Sequence, residues 1–317
     1  MMEDSAIQPA VLGHGVSVDL IAVLAAVTEG DPRVMTIRDA AALPSGRLEP
    51  GHRSLQSGLR AWVERQTHHP LGYMEQLYTF ADSDRSGEES AQRAISISYL
   101  GLTREGPPSG AHAASWRSWY DYFPWEDRRT GEPAFMGALL VPALRGWARG
   151  KGKTSGDHRW QRAAIAFGLD GCAWNEELAL QRYELLYEAG LVPEAYRRAA
   201  AKGRRLVPGH LMVADHRRIL ATGIARLRAK IKYRPVVFEL MPPAFTFLQL
   251  QRCVEALAGR LLHKQNFRRL IEQQELVEET GEATPETGGR PAKLFRFRHA
   301  ILAERAASGT KLPLMKS

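Results

Sequence analysis

Two sets of side chains in this sequence have the types and spacing to do chemistry. The first lies near the C-terminus, where Lys264, Gln265, Asn266, Arg268 and Arg269 follow closely on one another and Arg290 and Lys293 come soon after. The amides of Gln265 and Asn266 can pair with an adenine edge, and arginine with guanine or phosphate. The lysines suit phosphate as point charges. The second set follows a glycine: Gly46, Arg47 and His52 precede Arg60, Glu64 and Arg65. Activation of water by Mg²⁺ needs several carboxylates on one helix turn. One carboxylate among arginines cannot hold that charge, whereas the arginines favour an anionic phosphate. Arg47, Arg60 and Arg65, and Arg85 further on, are candidate phosphate partners, with Glu64 beside them, although an arginine placed like Arg60 more often pairs with a carboxylate on its own helix turn, here Glu64 at i+4. Trp119 and Tyr120, with Tyr122 and Phe123, have flat faces that could stack an adenine; core packing is the competing use.

Other chemistry is poorly supplied. Two cysteines, Cys172 and Cys253, are too few for a disulfide framework or a Cys-based zinc site, and packing accounts for both. His68, His69 and His216 stand apart from any Cys/His set at metal spacing, so no metal site is expected. The run Gly150-Lys151-Gly152-Lys153-Thr154 lacks the spacing of a phosphate-binding loop. Ser96 and Ser98 have no evident base, and no catalytic residue is expected. No apolar run reaches the roughly 18–20 residues of a membrane span. The longest, Val16–Val27, is broken by Asp19 and lacks the marks of a signal peptide, so a cytoplasmic setting without a membrane partner is expected.

The formal net charge of +8 is unevenly placed. Residues 210–317 hold 19 Lys and Arg against 10 Asp and Glu, while residues 1–209 hold 24 against 25. All the excess positive charge sits in the last third, which suggests a polyanion as its partner, most commonly nucleic acid.

A chain of 317 residues suits two domains that position these groups. Val16–Val27 is a buried strand or a short helix by pattern, and Arg33–Arg38 reads as a returning strand. Ser54–Gln66 is helical in period, with Leu55, Leu59, Trp62 and Gln66 on one face. Tyr73–Phe80 and Arg93–Leu102 look like strands. Residues 104–115 form a linker, and 135–206 read mostly as helices broken by the loop Gly150–Gly156.

The last third is clearer. Asp215–Lys232 carries one apolar stripe (Leu220, Ile224, Leu227, Ile231). Val236–Leu240 reads as a short strand before Pro242-Pro243. Thr246 and Gln249 form a capping box that opens a helix burying Leu250, Cys253, Val254 and Leu257 and ending at Gly259. Lys264–Gln274 turns Phe267, Leu270 and Ile271 inward and its polar groups outward. Leu276–Glu279 and Lys293–Arg298 then read as a hairpin. Helix, strand, helix, turn, helix and hairpin is the order of a winged helix-turn-helix, whose second helix seats in the major groove. Use of such a module for protein contacts is the alternative.

Gly46 to His52, followed by Arg60-Ala-Trp-Val-Glu64-Arg65, resembles a Nudix box in which His52, Ala61, Arg65 and Thr67 replace three glutamates and the final glycine. Together with Asp215–Leu220, Phe238–Thr246, Lys264–Arg269 and Gly289–Ala292, the chain resembles the Nudix-related transcriptional regulators, over roughly 16–103 and 210–298. The long 104–209 segment is similar to the NadQ-type branch, regulators of NAD biosynthesis in α-proteobacteria.

The resemblance implies an α+β architecture. A degenerate Nudix-like α/β/α sandwich occupies 1–209, with 104–209 as a helical insertion. A winged helix-turn-helix follows over 210–300, then a flexible tail, 301–317. It further implies a homodimeric repressor on palindromic double-stranded operator DNA. No cofactor is required, and NAD, ATP or ADP-ribose would act as an adenine-nucleotide effector. An active Nudix-type pyrophosphohydrolase with a nucleic-acid module is the alternative.

Overall fold

β1 (Ser17–Thr28) is apolar on both faces, and this makes it the centre of a layered structure. Leu20, Ala22 and Leu24 pack on one side with Leu59 and Val63 of α1 (Leu55–Thr67). Ile21, Val23 and Ala25 pack on the other with Leu220, Ile224 and Leu227 of α5 (His216–Ile231). Alternation of side chains along a strand sends successive residues to opposite faces, so one strand serves both layers. The computed structural model describes residues 16–69, 71–81, 94–106, 114–150, 153–196, 205–284 and 291–301. The expected tail beyond residue 301 lies outside them.

The sheet runs in the order β4 (Tyr73–Phe80), β5 (Ala94–Leu102), β1, β2 (Asp31–Thr36), β6 (Ser115–Ser118), with β3 (Ser45–Arg47) also on β1. β1 and β5 are parallel over Ser17–Ala25 and the other pairs antiparallel. The segment after β6 folds through tight turns that bury Trp119, Tyr122, Phe123 and Trp125. It continues as α2 (Val141–Arg149), α3 (Lys153–Phe167) and α4 (Ala179–Glu188). The expected loop around 150–156 is shorter than its glycines suggest, because α3 already starts at Lys153.

α5, expected to open the C-terminal module, packs both against α4 and the sheet and against the helix Phe247–Ala258 and the turn Val236–Leu240 that follow it. Gly223 allows the close approach: a Cβ there would stand 2.9 Å from Val23 Cγ1. The winged module itself comprises α6 (Phe247–Ala258), α7 (Lys264–Gln273), β7 (Val277–Thr284) and β8 (Ala292–Phe297). Val236–Leu240, expected as a strand, is a 3-10 turn. Its valines favour a strand, but Pro235 and Pro242-Pro243 bracket it and it pairs with no strand. The third short strand of the wing is instead the Phe245–Phe295 bridge, with reciprocal bonds of 2.9 and 2.8 Å.

Candidate functional site

The expected capping box forms and sets where α6 begins. Gln249 N–H donates to Thr246 Oγ1 at 3.2 Å, and Thr246 N–H donates to Gln249 Oε1 at 2.7 Å. Leu250, Cys253 and Leu257 then bury along one face. Burial pushes the Cys253 thiol up to about 12, so it stays a protonated packing group. Gly259 ends the helix in the left-handed region, φ +71°, where a side chain is strained. A short turn leads to α7, which is held by Phe267 alone among its fully buried residues.

Ile271, half-buried against the same core, completes a narrow inner stripe and leaves the rest of α7 outward. Lys264, Gln265, Asn266, Arg268 and Arg269 are all exposed and share the surface of one helix. Leu270, expected inside, is 50% exposed, because a helix touching its neighbour through one stripe buries position 267 but not 270. Arg268 Nε donates to Glu272 Oε1 at 2.8 Å, an exposed pair that a stronger anion can displace. On the wing, Lys293 of β8 meets both oxygens of Glu279 at 2.9 Å, so the hairpin is charge-balanced rather than basic. Arg290 lies outside the described residues, as does Arg85.

The degenerate box survives as a structural joint. Ser54 caps α1, and Gln66 clasps Ser45 through both its amide atoms, at 2.8 and 3.0 Å. Trp62 lies across Gly46, where a Cβ would fall 2.1 Å from the indole, and donates from Nε1 to the Arg47 carbonyl at 2.8 Å. Arg60 does not pair with Glu64; it donates to the carbonyls of Leu71 and Gly72. Arg65 lies over the Trp62 ring at 4.1 Å. Glu64 is exposed. Among the described residues, no group of three or more His, Cys, Asp or Glu is placed to hold a metal ion.

A cavity of about 690 Å³ opens beside β3, and among the described residues Arg47 is the expected effector residue that lines it. Arg38, Asp19, Ser45, Ser96 and Asp215 line it too. Two guanidiniums suit a diphosphate, and carboxylates and hydroxyls suit ribose hydroxyls. Sequence reasoning missed Arg38. It opens a left-handed turn, Arg38-Asp39-Ala40 (φ +54°, +53°, +68°), that no Gly or Asn announces. The Tyr122 hydroxyl, donating to the Ala40 carbonyl at 2.7 Å, and the Val213 N–H, donating to the Ala41 carbonyl at 2.8 Å, hold that turn.

Trp119 and Tyr120 do not reach this cavity. Both are buried in the core, and the Tyr120 hydroxyl donates to the Ala256 carbonyl at 2.6 Å. Burial pushes the Tyr120 phenol up, so it remains the donor. Aromatic mass here went to packing, and the base-stacking expectation is corrected on that ground.

Comparison with known proteins bears on this geometry. Residues 237–297 match the family described as the NrtR DNA-binding winged helix domain. A curated relative from Acinetobacter baylyi, the ADPR responsive transcriptional repressor NtrR, is 41% identical over 83 residues. The match takes in 26% of this chain and spans only a third (33%) of the relative's length. The crystal structure of Shewanella oneidensis NrtR with a 27mer DNA is similar over 90% of this chain and 95% of that one (TM-score 0.55, 16% identity). A MutT/nudix family protein from Enterococcus faecalis is similar over 90% and 87% (TM-score 0.53, 15% identity). The fold is thus a Nudix-like domain followed by a winged helix.

Proposed function

We propose that this chain is a ligand-responsive transcriptional repressor. It would bind a palindromic operator as a homodimer and regulate NAD-biosynthesis genes. The observation that carries the reading is α7: five polar or cationic side chains exposed on the second helix of an NrtR-type winged helix. Lys264, Gln265, Asn266, Arg268 and Arg269 make the groove contacts, with Lys293 reaching phosphate from the wing and Arg290 a further candidate by its place in the sequence. The sensor ends with α5, and the DNA-binding part starts after it, near 237, where the family match begins.

The effector is an adenine nucleotide held in the cavity by Arg38 and Arg47. ADP-ribose comes first, because the Acinetobacter relative is named for responding to it; NAD and ATP share its diphosphate. The chain binds without cleaving, since Glu64 stands alone where the box needs several carboxylates. Multiple turnover of ADP-ribose with Mg²⁺ would favour the hydrolase instead.

Titration of an NAD-gene promoter duplex, with and without each nucleotide, tests the reading. We expect tight binding that one nucleotide shifts. Arg47→Ala removes that shift and weakens the nucleotide by about 1.5–3 kcal/mol, the worth of hydrogen bonds to a charged group. No duplex binding at moderate salt sinks the reading.

A further inference from the structure

The segment after β6 meets the end of α6 in one buried junction. Glu126 is fully buried between two fully buried arginines. Arg182 of α4 forks onto it, Nε to Oε1 at 2.5 Å and Nη2 to Oε2 at 2.8 Å. Arg228 of α5 donates to the same Oε2 and, through Nε, to the Leu257 carbonyl at 2.8 Å. Leu257 lies in the last turn of α6, where carbonyls lack helical partners and the helix dipole is negative.

Further bonds close on the same spot. Tyr120 reaches the Ala256 carbonyl, and the Arg128 N–H donates to the Gly259 carbonyl at 2.7 Å. A Cβ at Gly259 would stand 2.2 Å from the Glu126 carbonyl oxygen. Gly259 starts the turn between α6 and α7, so this junction grips the elbow of the helix-turn-helix. Lys230, two positions beyond Arg228 and on the other side of α5, instead lines an open cavity of about 640 Å³ between the sheet and the wing. α6 also packs on β1 and β2, so the junction adds a polar grip to an apolar contact.

Burying three charges contributes little net stability compared with apolar packing, because each is stripped of water. Such a cluster has few alternative arrangements, however, and so fixes geometry. In a two-fold dimer, a tilt at each elbow moves both recognition helices and changes the distance between half-sites.

We infer that the 104–209 segment sets the angle of α7, and that Glu126 and Tyr120 are positioning residues that determine which half-site spacing the dimer accepts. This rests on the DNA-binding dimer reading above. It is tested on the full chain as wild type, Glu126→Gln and Tyr120→Phe. The probes are duplexes built from the wild-type footprint, with the central spacer changed by single base pairs.

Wild type should lose on the order of tenfold in affinity per altered base pair of spacing, a misfit comparable to one mismatched contact. Both variants should bind the native spacing nearly as well and accept altered spacings with a markedly smaller loss. A merely structural role would lower affinity equally at every spacing. Equal spacing penalties in wild type and Tyr120→Phe overturn the inference, and so does a wild type indifferent to spacing. If Glu126→Gln does not fold, Tyr120→Phe, which deletes one hydroxyl, still decides. Failure of the underlying reading is seen first, as a wild type with no footprint, and takes the inference with it.

Discussion

α5 and α7 are both rich in Lys and Arg, and they use them in opposite ways. On α5, Arg217 pairs with Glu194 at 3.2 Å, Arg218 with Glu184, Arg228 with Glu126 and Lys230 with Glu75. Every one of those carboxylates comes from the first 209 residues. On α7, Lys264 and Arg269 face solvent, and Arg268 has its ion pair within its own helix, with Glu272, and lies over the Phe247 ring. Net charge measures how many cations a segment has and says nothing about where each is used. Part of the positive excess in the last third fastens α5 to the first 209 residues, and part, on α7, is presented outward.

The contrast breaks or holds by substitution. Arg228→Met leaves Glu126 short of a partner and should lower stability by about 3–5 kcal/mol in chemical denaturation, as breaking a buried ion pair does. Arg269→Ala should leave the denaturation midpoint where it was. Equal losses in the two variants would erase the distinction between the helices.

Acid sharpens the same point. Burial alone would push the Glu126 carboxyl up, but Arg182 and Arg228 outweigh it and hold the carboxyl below the usual glutamate range. A folded-state value below the unfolded one contributes stability above the ordinary glutamate range, and that contribution is lost as pH falls through the folded value. Denaturation midpoints should be flat from neutral down to about pH 5 and then drop, and the drop should be shallower in Glu126→Gln, whose amide does not titrate.

On the DNA side, Arg269→Ala should cost about 1–3 kcal/mol of duplex affinity if it reads a base. If it touches only phosphate, it should weaken all sequences alike and flatten the log–log salt slope by about 1. The smallest effect belongs to Lys232→Ala. Its partly exposed ammonium meets the buried Glu176 and the half-buried Glu177 at 2.9 and 2.7 Å, and Arg260 still faces Glu176 at 3.4 Å, so the loss should be about 0–1 kcal/mol in a thermal melt. A larger loss there would mean that the rim of the junction carries as much as its buried centre.

Much of this molecule was legible without coordinates. The capping pair Thr246 and Gln249, the stripe on α5 and the exposed donors of α7 are local patterns. Each depends on neighbours a few positions away, which is the range over which backbone hydrogen bonding and side-chain periodicity act. The substitutions at His52, Ala61 and Arg65 are equally local, because the box is one loop and one helix.

Tertiary structure alone decided the partners. Arg228 finds Glu126 across 102 positions, and nothing near either residue names the other. Arg38 reaches the cavity through a left-handed turn fixed by Tyr122 and Val213, both far along the chain. Val16–Val27 became a strand, Val236–Leu240 a turn, and Trp119 and Tyr120 core residues, according to what lay beside them. The sequence by itself determined the caps, the helical stripes and the donors that α7 exposes. Which cation meets which carboxylate waited on the fold, because Coulomb attraction and burial depend on distance in space rather than along the chain.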